Sequence, residues 1–130
     1  MYVGMAWSLS CEDATARTVA RVTGAIFVVA GLPKFVAFGW ELDAFRRFGL
    51  PLPEVWVIAA GVIEIGGGIA LLRLRGVAPA ALLLAVTMAV AFVASGVLQG
   101  DVIPSLTLAP ALLVACLYLL TRATRRAASP

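Results

Sequence analysis

Four apolar runs, each close to the length that carries a helix across a bilayer, constrain this chain more than any other feature. A spanning helix needs about 20 mostly apolar residues, because the hydrocarbon core is about 30 Å thick and a helix rises about 1.5 Å per residue. The runs fall at about residues 18–40, 54–74, 76–98 and 102–121. Between Val22 and Trp40 the only charge is Lys34, and between Val55 and Leu72 the only charge is Glu64. The third and fourth runs carry none. The chain has 130 residues, 62% of them apolar and 13% charged. A soluble domain of this size keeps too much surface outside to bury that much apolar material. The expected fold is therefore all-α: one membrane domain over residues 1–130, built as a four-transmembrane-helix bundle.

Turn signals separate the runs. Arg73-Leu74-Arg75-Gly76 divides the second from the third, and Gln99-Gly100-Asp101 divides the third from the fourth. Pro53, Pro79 and Pro104 stand near the starts of three runs, where proline's missing N–H would be unpaired in any case. Lys and Arg are unevenly shared. Four crossings put Arg17, Arg21, Arg73, Arg75, Arg122, Arg125 and Arg126 on one side, and Lys34, Arg46 and Arg47 on the other. The cytoplasmic side collects the cations, so both termini are expected in the cytoplasm. Glu12 and Asp13 precede the first run where a cleaved signal would carry basic residues, and no small-residue cleavage site follows it.

Two flanking segments carry amphipathic patterns. Met5, Trp7 and Leu9, with Ser10 and Asp13 at capping spacing, suit either a surface helix or a frayed tail. In the loop between the first two runs, Trp40, Ala44 and Phe48 share one helical stripe, with Glu41, Asp43, Arg46 and Arg47 mostly elsewhere. That spacing predicts a short amphipathic helix on the membrane surface, ended by Gly49-Leu50-Pro51-Leu52-Pro53.

The chemistry narrows quickly. No histidine occurs, which removes histidine-ligated haem, zinc or copper and histidine-based catalysis from this chain. Cys11 and Cys116 are too distant for a C-x-x-C motif, and a net charge of +3 gives no case for nucleic acid. Glu64 is the conspicuous residue, because a carboxyl near the bilayer middle is costly and by default a functional candidate. Gly61, Gly67 and Gly68 surround it on its helix, which predicts that it faces the bundle interior. Lys34 is its expected partner, on a stripe with Gly24 and Gly31 and next to a Pro33 kink. Two rival readings stand: Lys34 snorkels outward, and Glu64 serves the packing by bonding a backbone group or a hydroxyl such as Thr87. The candidate pocket is Lys34, Glu64, Gly31, Gly67 and Gly68.

Arg21, Gly24, Gly31-Leu32-Pro33-Lys34-Phe35, Gly49-Leu50-Pro51 and Glu64-x-x-Gly67-Gly68-x-x-Leu71 together resemble the DoxX family of small bacterial membrane proteins, over roughly residues 20–120. The resemblance implies a four-helix bundle like that of vitamin K epoxide reductase-like proteins, in the bacterial cytoplasmic membrane. It also implies a place in membrane redox systems, including thiosulfate:quinone oxidoreduction, beside soluble partner enzymes. Ala30 stands where many relatives carry histidine, and the reductases' cysteine pair is missing, so catalysis by this chain itself is not expected. The leading expectation is an accessory subunit that anchors a partner in a redox assembly and forms a quinone or lipid pocket, alone or as a homo-oligomer. The alternatives are a small proton-coupled transporter and an assembly factor or scaffold without a small-molecule site.

Overall fold

The computed structural model describes residues 14–49, 51–97 and 107–128, and every regular element among them is helical. They are α1 (Ala14–Gly31), α2 (Pro33–Val36), α3 (Phe38–Arg47), α4 (Pro53–Arg73), α5 (Val77–Ala91), which continues as a π-helical turn (Phe92–Val97), and α6 (Leu108–Ala128). Among the described residues, three stretches are long and apolar enough to cross a membrane: Ala14–Val36, Pro53–Arg73 and Val77–Ser95. Leu108–Ala123 is a shorter apolar helix. Large apolar side chains including Val29, Val36, Val62, Val86 and Val114 point outward. In water such a surface would aggregate. The molecule is a multi-pass membrane protein, and hydrocarbon is the solvent for that surface.

The helices pack as two pairs. α1 lies along α4, α5 lies along α6, and α4 against α5 joins the pairs. On α1 the buried stripe is Ala16, Ala20, Thr23, Gly24, Phe27 and Gly31, at the three- and four-residue spacing that keeps one helix face inward. Ala109, Leu112, Cys116, Leu119 and Ala123 repeat the pattern on α6, with Leu84 and Met88 of α5 in the same core.

Glycine sets the distance between α1 and α4. A Cβ on Gly24 would lie 2.5 Å from the Gly68 carbonyl oxygen, and one on Gly68 would lie 2.7 Å from that of Gly24. Only backbones without side chains approach this closely, and within a membrane such contact is what drives helix association.

The first span differs from its expected limits. It begins at Ala14 and ends at Val36, instead of running from about 18 to 40. Pro33 cannot donate to Val29, so the helix breaks at Leu32 and resumes for one turn. Ala37, at φ −117° and ψ 48°, then leaves the helical region and the chain turns off as α3. The amphipathic helix therefore starts at Phe38, two residues before its expected start. The expected N-terminal surface segment around Met5, Trp7 and Leu9, the Gln99-Gly100-Asp101 turn and Pro104 lie outside the described residues.

The turn between α4 and α5 is tight. Leu74 (φ 56°) and Gly76 (φ 62°) are both left-handed, and the Arg75 amide donates to the Ala70 carbonyl at 3.1 Å. That bond closes α4 in the Schellman manner and fixes the Arg73–Arg75 backbone.

Candidate functional site

Lys34 and Glu64 meet where α2 crosses α4. Lys34 Nζ lies 2.9 Å from Glu64 Oε2, and the two side chains are only 12% and 5% exposed. The lysine therefore turns inward and does not snorkel. Pro33 supplies the local reason: by breaking α1 it re-aims the next turn, and Lys34 packs over Gly61, one turn from Glu64. A Cβ on Gly61 would lie 3.2 Å from Lys34 Cβ and 2.7 Å from the Phe35 ring. Glu64 sits beside the midpoint of Pro53–Arg73, so the pair is deep in the membrane.

A third member joins them. Glu41 of α3 places Oε2 at 3.9 Å from Lys34 Nζ and is itself 14% exposed. One ammonium thus serves two carboxylates, one from the membrane interior and one from the amphipathic helix. Arg46, at 3.4 Å from Asp43 and 3.9 Å from Glu54, ties α3 to the start of α4 at the rim. Those rim pairs are more than half exposed and contribute little, since water competes for both partners.

The buried contact is an ion pair. Glu64 Oε2 is sealed from solvent with the Lys34 ammonium at 2.9 Å as its neighbour. A carboxylate oxygen has more than one lone pair, so it can accept a further donor beside the ammonium.

The glycines divide. Gly31 and Gly68 lie in the α1–α4 contact, where a Cβ on Gly31 would meet Glu64 Cβ at 3.2 Å. Gly67 faces the other way, against Leu84 of α5. The Thr87 hydroxyl donates to the Leu83 carbonyl at 2.8 Å, within its own helix, and takes no part in the site. Sequence reasoning did not single out Glu41. It lies seven residues after Lys34, which would share its face on an unbroken helix, but the break at Ala37 hides that relation.

A separate open groove of about 390 Å³ is lined by Ala25, Ile26, Val29, Ala30 and Leu108, all apolar. No three His, Cys, Asp or Glu side chains gather as metal ligands among the described residues.

Comparison with known proteins gives no significant match among curated proteins or solved structures. A family model does match: DoxX, over residues 16–96, which takes in both helices of the ion pair and the amphipathic helix between them. With more than half of its length matched, the chain belongs to the DoxX family.

Proposed function

We propose that this chain is an accessory subunit of a redox or respiratory assembly in the bacterial cytoplasmic membrane, crossing four times with both termini in the cytoplasm. The observation that carries the reading is the buried Lys34–Glu64 pair at 2.9 Å, with Glu41 as a second carboxylate at 3.9 Å from the same ammonium. Intramembrane charges are expensive and mark sites of binding or transfer. A buried pair does little for stability by itself, because desolvation offsets its attraction.

The residues fit a quinone headgroup. Lys34 has N–H groups to offer a carbonyl oxygen, and Glu64 Oε2 can accept from the hydroxyl of the reduced form. The α1–α4 contact is too close to admit a ring, so the headgroup would enter from the α3 side, against Lys34 and Glu41. When bound, a quinone carries electrons and protons between the partner and the membrane pool. This chain's own part is to hold, orient and desolvate it, and to present the partner with an anchored surface.

Purification from the native membrane in mild detergent tests the reading. A partner oxidoreductase should co-purify, and Glu64→Gln should leave the complex intact while lowering its quinone-linked activity about tenfold or more. Recovery only as a lone homo-oligomer, or full activity in the Gln variant, would overturn it. The second reading is a proton-coupled carrier, favoured by the step of carboxylates from interface (Glu41) to interior (Glu64) around one lysine. Solute flux in proteoliposomes that disappears with Glu64→Gln would select it.

A further inference from the structure

The opposite end of the α1–α4 pair carries charge that nothing described neutralises. Along α1 the stripe facing α4 is Gly24, Val28 and Gly31: Gly24 meets Gly68 and Leu72, Val28 meets Gly68, and Gly31 meets Glu64 and Ile65. The helices run antiparallel, so each turn down α1 advances one turn up α4. Continuing the stripe toward the start of α1 reaches Arg21 and then Arg17, one turn apart. The same register brings this end of α1 alongside the α4–α5 turn, which carries Arg73 and Arg75 and is held by the Arg75-to-Ala70 bond. Half-buried Arg17 thus continues the stripe, exposed Arg21 borders it, and Arg73 and Arg75 stand at the turn that this end of α1 approaches.

Among the described residues no ion pair engages any of these four. The described carboxylates are Glu41, Asp43, Glu54 and Glu64, which lie at mid-membrane or at the far end. Gathering like charges with no counter-charge among the described residues is unfavourable. Moreover, Arg17 Nε is sealed from solvent and has no hydrogen-bond partner. A desolvated N–H donor, at the end of the helix pair that also carries Arg21, Arg73 and Arg75, calls for an anion with several oxygen acceptors. Arginine's planar fork matches phosphate in this way. Val22, Ile69 and Leu72, exposed toward hydrocarbon, stand next to the cluster, so the anion's carrier has an apolar body.

We propose that Arg17, Arg21, Arg73 and Arg75 form a binding site for the phosphate headgroup of an anionic phospholipid of the surrounding membrane. It is distinct from the Lys34–Glu64 site and lies at the other end of the same helix pair. The lipid phosphate supplies the missing acceptor to Arg17 and screens the four cations from one another, while its chains lie along Val22 and Leu72.

The test uses the full chain, delipidated in a neutral detergent, with binding followed by native mass spectrometry. Phosphatidylglycerol should bind at least tenfold tighter than phosphatidylcholine. Arg21→Gln with Arg75→Gln should abolish that preference, whereas Arg47→Gln at the other rim should keep it. Arg21 and Arg75 are exposed, so the double variant should retain its helical circular dichroism. If it does not, Arg75→Lys alone, which keeps charge but loses the fork, should weaken phosphatidylglycerol several-fold. Equal binding of the two lipids, or an undiminished preference in the Gln or Lys variants, overturns the proposal. So does displacement of the lipid by equimolar inorganic phosphate, which would make the site one for free phosphate.

Discussion

Lys34 balances two carboxylates, so its removal is predicted to be costlier than the loss of either partner. Lys34→Met leaves Glu64 buried without a counter-charge and should destabilise the protein by about 3–5 kcal/mol, with Lys34→Met/Glu64→Leu recovering most of it. Unfolding in mixed micelles would measure both, and a double variant no better than the single would contradict the assignment. At this scale the legible residue was Glu64. Its position in an apolar run and its glycine neighbours predicted an inward carboxyl, and it is 4% exposed. Gly67 shows what such reasoning blurs. Adjacent residues on a helix point about 100° apart, so Gly67 and Gly68 could not share a face. One meets α5 and the other α1. Glu41 was illegible because its role depends on where the backbone leaves the helix at Ala37, which no local pattern of residues specifies.

Among elements, the apolar runs predicted the helices well and their ends less well. Hydropathy does not register residues 14–17 as membrane helix, yet Ala16 and Ala20 pack at 0% exposure, so α1 reaches further back than expected. The third run ends in a π-helical turn around buried Ser95, for which the sequence carries no distinct signal. Short connections impose strain of their own. Leu52 is left-handed (φ 52°) at the entrance to α4 and is 69% exposed. A side chain there costs about 1 kcal/mol and recovers little by packing, so Leu52→Gly should stabilise the fold by about that amount. A lowered melting temperature would show that Leu52 makes contacts its exposure does not suggest. Leu74 shares the backbone conformation but packs against the core, and the same exchange there should gain less.

For the whole molecule, the proposed four crossings make a simple topological prediction. Reporters fused to the two termini should both register the cytoplasm, and reporters on opposite sides would require an odd number of crossings. Composition alone made the membrane assignment legible, because outward-facing valines and leucines have no soluble explanation. The division into helix pairs was not legible, since it depends on which small residues meet across space. That division has a mechanical consequence. Two rods whose backbones touch at Gly24 and Gly68, with Val28 and Ile65 wedged beside the contact, resist sliding past one another, so α1 and α4 behave as a single thick strut. Flexing of the molecule is then taken up at the looser seam toward α6, where the groove at Ala30 and Leu108 opens, and not at the α4 face that holds Glu64.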